Sequence, residues 1–131
     1  MMLQLRKIAS GYAESPVLEE IDLTIDKGEI VTLVGAKGAG KSTLVKTISG
    51  LMSPMCGEIT FDDERIDQFS PAERLRLGVA HVPEGRQAFA GMTVAENLHL
   101  GAYIGRGERE RVREVCDLFP ILGERMDEIH R

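Results

Sequence analysis

The run Glu29-Ile30-Val31-Thr32-Leu33-Val34 leads into Gly35-Ala36-Lys37-Gly38-Ala39-Gly40-Lys41-Ser42-Thr43, and a helical pattern follows from about Lys41 to Ser49. The glycine-rich segment satisfies G-x-x-x-x-G-K-[ST], the Walker A pattern. A chance match in a chain of this composition is about one in a hundred or less. The position after an apolar, β-branched run and before a helix lowers that further. Glycines let the backbone curl so that successive N–H groups point inward and cradle phosphate oxygens. The helix that follows adds the positive end of its dipole. In such a loop Lys41 contacts the β- and γ-phosphates, and the Ser42 hydroxyl ligates Mg²⁺. The competing reading is a flexible glycine turn with an exposed lysine, and it leaves the strand–loop–helix context unexplained. The segment therefore implies a nucleotide site.

The rest of the composition narrows the function classes. At 131 residues there is room for one domain and little more. Hydrophobic residues at 43% and charged residues at 28% exclude a mostly disordered chain. A formal charge of −5 gives no electrostatic footprint for general nucleic-acid binding, which needs a basic stripe to displace counterions. Cys56 and Cys116 are too few and too far apart for a disulfide framework or a four-ligand zinc site, and read as reduced thiols of a cytosolic protein. Arg6 and Lys7 interrupt the first apolar residues, so no secretory leader is expected. No apolar stretch approaches the ~20 residues of a membrane-spanning helix.

Along the chain, Leu3, Leu5 and Ile8 suggest a first strand with a turn at Ser10-Gly11, and Val17 to Ile25 a second. Residues 29–34 read as a buried strand, and Gly50 as the stop of the helix after the glycine loop. Residues 58–61 read as a short strand turned at Asp62-Asp63. Ser70-Pro71-Ala72-Glu73 is a capping box with proline at the first helical position, opening a helix through Leu75 to about Leu77. Residues 79–82 read as a buried strand stopped by Pro83, and Thr93-Val94-Ala95-Glu96 as a second capping box. Val112, Val115, Cys116 and Phe119 form the stripe of an amphipathic helix ending before Pro120. His81, His99 and His130 lack metal-ligand spacing and are expected to serve packing or face solvent. Residues 108–114 read as a solvated helix face.

The flanks of the glycine loop carry a resemblance. Ser10-Gly11-Tyr12 after the first strand, the two leading strands, Val82-Pro83-Glu84-Gly85-Arg86, Phe89 and Met92-Thr93-Val94-Ala95-Glu96-Asn97-Leu98 resemble the N-terminal half of an ABC-type ATPase. The resemblance implies an α/β P-loop fold with an antiparallel β subdomain, an incomplete core sheet and the start of a helical subdomain. It divides the chain into the Walker A segment 35–43, a Q-loop region 82–87 and the start of the helical subdomain 88–131. It implies that Tyr12 stacks on adenine. The phosphates would lie against Gly35, Ala36, Lys37, Gly38, Ala39, Gly40, Lys41, Ser42 and Thr43, with Ser42 and Glu84 at Mg²⁺. The ligand implied is ATP with Mg²⁺. The Q-loop senses the γ-phosphate and relays closure to transmembrane subunits.

Two positions depart from the family pattern. Glu84 stands where the family has glutamine. The Pro-Glu-Gly-Arg string around it is similar to one ATP-binding subunit of branched-chain amino-acid importers, and a carboxylate still reaches Mg²⁺ directly or through water. Lys37 stands where Asn or Ser is usual; an extra cation there either aids phosphate binding or disturbs a contact across the family's ATP-sandwich dimer. Gln87 reads as a solvated loop residue.

The resemblance covers Met1 to Arg131, whereas a family domain continues for roughly as long again. No Leu-Ser-Gly-Gly signature and no apolar strand ending in Asp-Glu is present. The chain therefore holds no complete catalytic set, and Glu84 serves only as a sensor. Residues 29–34 and 79–82 are then expected to have open edges. The implied function is ATP binding and hydrolysis coupled to import of branched-chain amino acids. The implied partners are transmembrane permease subunits and a second ATP-binding subunit, at the inner face of the plasma membrane. The alternatives are a nucleotide-binding module without hydrolysis and an importer ATPase for urea or other amides. A soluble ATPase of repair or translation fits the Pro-Glu-Gly-Arg loop less well. A small-molecule kinase leaves Tyr12 and the strands before the loop unexplained.

Overall fold

The computed structural model describes residues 1–85, 87–104 and 107–129. It divides into two units, Met1–His81 and Val82–Arg131. The first is built on a four-stranded antiparallel sheet in the order β2-β1-β3-β4, from β1 (Leu3–Tyr12), β2 (Ser15–Ile25), β3 (Cys56–Phe61) and β4 (Glu64–Arg65). Leu5 sits opposite Leu23 on one side and Ile59 on the other, which puts the apolar residues of three strands on one face. On that face Leu3, Leu5, Ile8, Leu18 and Ile59 are buried with Leu44 and Ile66.

The inward residues of β1 change phase midway. Leu3 and Leu5 point inward, then Ile8 and Ser10, so one residue is added between the pairs. The extra residue is accommodated at Lys7, whose φ is 49° and whose N–H donates to Asp22 Oδ1 at 2.9 Å. That N–H and the Lys7 ammonium, 3.4 Å from the other carboxylate oxygen, hold the Asp22 carboxyl below its ordinary range. Across the bulge stands Gly57 at φ 94°, where a Cβ would collide with the Lys7 and Arg6 carbonyl oxygens.

The first hairpin turns later than the sequence suggests. Gly11 lies inside β1, and Ala13, at φ 53°, makes the turn with Glu14. A glycine is needed at 11 because the backbone of Ser15 and Pro16 passes where its Cβ would be, so the glycine marks close approach. The turn at Asp62-Asp63 is as expected, both residues having positive φ, 44° and 65°.

Helix α1 (Lys41–Ser49) ends on Gly50 at φ 81°, as expected. Helix α2 (Pro71–Leu77) opens with the expected reciprocal cap: Ser70 N–H donates to Glu73 Oε2 at 2.7 Å, and Glu73 N–H donates to Ser70 Oγ at 3.3 Å. The buried residue of α2 is Arg74, while Leu75 and Leu77 are about two-fifths exposed, the reverse of the apolar pattern.

The strands expected at 29–34 and 79–82 are absent. Ile30 and Val34 are 94% and 92% exposed, and Val82 is 91% exposed. A β-branched run becomes a strand only when a neighbour takes up its N–H and C=O groups, and none of the four described strands pairs with either run. The expected antiparallel subdomain is thus present, while no strand of a core sheet forms among the described residues.

The second unit holds α3 (Val94–Ala102), α4 (Glu108–Leu118) and α5 (Pro120–Glu124). The Thr93/Glu96 capping box forms as expected. Helices α3 and α4 pack together around Ala102 and Val112. Phe119, expected on the apolar stripe, is 58% exposed and lies between α4 and α5. Proline at the start of α5 signals the new helix.

Candidate functional site

Residues 35–40 fold back on themselves ahead of α1. Ala39 N–H donates to the Ala36 carbonyl at 3.1 Å, and Gly38 and Gly40 take φ of 85° and 93°. Lys41, the first residue of α1, curls over the loop it follows: its Nζ donates to the carbonyl oxygens of Gly35 at 2.6 Å and Ala36 at 2.7 Å. The ammonium therefore sits over the mouth of the loop, tied down by two neutral acceptors. Gly40 gives α1 no side-chain cap, and no acidic residue lies in its first turn. An N-terminus so arranged favours an anion. Phosphate fits this cradle on three counts: backbone curvature, an uncapped helix end and a cation at its lip.

The other expected residues fall as follows. Ala36, Lys37, Gly38, Ala39 and Ser42 are exposed with Gly35. Thr43 is buried, and its carbonyl accepts the Thr47 hydroxyl at 2.8 Å. Tyr12 lies in the same unit, at the tip of the first hairpin opposite Ser15, and its ring is exposed. Glu84 and Gln87 are exposed residues of the second unit, and Arg86 lies outside the described residues. Among the described residues no group of three or more His, Cys, Asp or Glu side chains could hold a metal ion. A Mg²⁺ ion at Ser42 would therefore draw most of its oxygens from the nucleotide and water, as that ion does by preference.

The described histidines fit the expected packing and solvent-facing roles. His99 Nδ1 meets Glu108 Oε1 at 2.6 Å across the α3–α4 connection, a specific pairing. His81 is half-buried, and His130 lies outside the described residues.

Two polar side chains that anchor backbone were not evident from the sequence. Arg74 is fully buried and grips the carbonyl end of α1. Asn97, within the motif after the Glu84 loop, pins the turn before α3. Its Oδ1 accepts Phe89 N–H at 2.8 Å, and its Nδ2 donates to the Thr93 carbonyl at 2.9 Å. An amide at the fourth residue of a capped helix, reaching back past the cap, is the signal that could have found it.

Comparison with known proteins is in accord with this geometry. The family model described as ABC transporter matches residues 18–131. The chain is 37% identical over 129 residues to a high-affinity branched-chain amino acid transport ATP-binding protein of Pseudomonas aeruginosa, covering 97% of this chain and 55% of that protein. It is also 37% identical over 123 residues to a probable branched-chain amino acid transport ATP-binding protein of Archaeoglobus fulgidus, covering 92% of this chain and 52% of the other. A ribose import ATP-binding protein of Lactococcus lactis is 38% identical over 104 residues, 79% of this chain and 21% of that one. Among solved structures, an ATP-binding subunit of an ABC transporter superposes with a TM-score of 0.82 at 32% identity, covering 98% of this chain and 54% of the other. The chain thus spans about half the length of the curated branched-chain relatives it matches. By its family match, its relatives and its fold, the chain belongs to the ABC transporter ATP-binding family.

Proposed function

We propose that this chain binds ATP with Mg²⁺ on the loop at residues 35–43 and serves an importer of branched-chain amino acids. The observation that carries the reading is the Lys41 ammonium held over the Gly35 and Ala36 carbonyls at an uncapped helix end. A nucleotide phosphate exchanges those neutral acceptors for charged oxygens, which make stronger hydrogen bonds. The N–H groups of the loop and the head of α1 then surround the phosphates, with the Lys41 charge toward the β- and γ-phosphates. Tyr12 offers its exposed ring to adenine. Ser42 would hold Mg²⁺, whose chemistry is to neutralise phosphate charge. Hydrolysis requires a carboxylate to orient water, and the sequence has no Asp-Glu pair ending an apolar strand. The role that the residues at 35–43 support is the grip on the nucleotide phosphates.

The partners in this reading are the transmembrane permease subunits of the importer and a second ATP-binding subunit. No helix among the described residues is long and apolar enough to cross a membrane. In this reading the permease holds the chain at the inner membrane face. Coverage does not separate the substrate classes, because a ribose-importer relative reaches 96% of the chain where a branched-chain relative reaches 97%. The Pro-Glu-Gly-Arg string around Glu84 is what supports amino acids over sugars. The test is capture of the tagged chain on detergent-solubilised permease pairs. Retention by a branched-chain amino-acid permease pair and not by a ribose permease is expected; the opposite preference overturns the substrate assignment.

A further inference from the structure

Arg74 is 1% exposed, and its guanidinium is spent entirely on backbone carbonyls among its described bonds. Nη1 donates to Thr47 O at 2.7 Å and Ile48 O at 2.9 Å, Nη2 to Asp67 O at 3.0 Å, and Nε to Phe69 O at 3.1 Å. The first two acceptors belong to the last turn of α1, where a helix leaves its carbonyls without intrahelical partners. A cation at that end also complements the helix dipole. Burial lowers the Arg74 pKa, opposed by the neighbouring Asp67 carboxylate. The neighbouring Asp67 carboxylate is itself engaged by Arg65, at 2.6 Å.

Helix α1 has nine residues, too few to be stable alone, so contacts along its length set where it sits. One tie is made by a side chain of the last turn, where Thr47 Oγ1 meets Ser10 Oγ of β1 at 2.8 Å. Arg74 supplies the tie at the carbonyl end. Its own carbonyl also accepts Val79 N–H at 3.0 Å, so the backbone leaving α2 starts from the same residue. Gly50 completes the fit: a Cβ there would press on the guanidinium.

We infer that Arg74 is a positioning residue for the phosphate loop, fixing the carbonyl end of the helix whose other end presents Lys41 and Ser42. The inference rests on the reading of residues 35–43 as the ATP site. It calls for arginine specifically, because a planar fork reaches four carbonyls and a lysine ammonium cannot.

The test compares the full chain with Arg74→Met, Arg74→Lys and Asp67→Asn. The readouts are ATP affinity in Mg²⁺ and amide hydrogen exchange of the nucleotide-free protein across α1 and β1. Arg74→Met is expected to weaken ATP binding about tenfold and to speed exchange in α1 relative to β1. Arg74→Lys should fall between Arg74→Met and the natural chain. Asp67→Asn, which disturbs the same loop without touching α1, should lower the melting temperature and move neither readout. Unchanged α1 exchange in Arg74→Met, or ATP affinity within about twofold of the natural chain, overturns the inference. So does an equal loss of ATP binding in Asp67→Asn, which would make the effect one of stability alone. Should Arg74→Met fail to fold, Arg74→Lys is judged by the same two criteria. If the natural chain itself binds no ATP, the reading of the site fails, and α1 exchange alone upholds or overturns the role of Arg74.

Discussion

Lys41→Ala is expected to weaken ATP binding by about a hundredfold while leaving the fold in place. A hydrogen bond to a charged group is worth about 1.5–3 kcal/mol, and a lysine against two phosphates makes at least two. A loss of about 3 kcal/mol corresponds to roughly a hundredfold in affinity. The side chain is not part of the hydrophobic core, and its bonds in the free protein go to the Gly35 and Ala36 carbonyls of the exposed loop. The melting temperature should therefore stay close to that of the natural chain. Calorimetric titration beside a thermal melt checks both halves; a variant that binds ATP as tightly as the natural chain would remove Lys41 from the site.

Gly40→Ala should damage stability and binding together. Gly40 takes φ 93°, which costs an L-residue about 1–2 kcal/mol. Its Cβ would also stand 2.5 Å from Leu18 Cδ2, and Leu18 is a core residue with little room to withdraw. Overpacking of that kind costs about 1–3 kcal/mol more. The effects fall at the junction of loop and helix, so the cradle is distorted where it must hold its shape. Gly38→Ala is the control: φ is 85°, but nothing lies within 4 Å of the added methyl, so only the backbone cost applies. Denaturant melts of the two variants should order them clearly, with Gly40→Ala the less stable. Equal stabilities would mean that the contact with Leu18 relaxes freely.

What could be read from the sequence was local. The capping boxes at Ser70 and Thr93 specify their own hydrogen bonds within four residues, and both form. The glycine loop likewise states its backbone needs in its own residues. The apolar run 30–34 shows the limit, because its β-branched residues satisfy strand propensity while the described residues give it no neighbour. Propensity concerns the residue, whereas pairing concerns the rest of the sheet.

Arg74 illustrates the opposite failure. In a short helix with two leucines beside it, an arginine reads as solvent-facing, yet it is the buried residue. Its reason for burial lies 26 and 27 residues earlier, at the end of α1. Long-range hydrogen bonds to backbone leave no periodicity. Tyr12 and Glu84 mark the same boundary for the site, since the loop is one continuous stretch while these two depend on tertiary placement.

The most direct test of ATP recognition at residues 35–43 is a calorimetric comparison of ATP, ADP and AMP on the natural chain, with and without Mg²⁺. A cradle that grips phosphates should bind ATP and ADP and lose most of its affinity for AMP, with Mg²⁺ strengthening ATP most. AMP binding as tightly as ATP, or no binding by any of the three, would contradict a phosphate cradle at this loop.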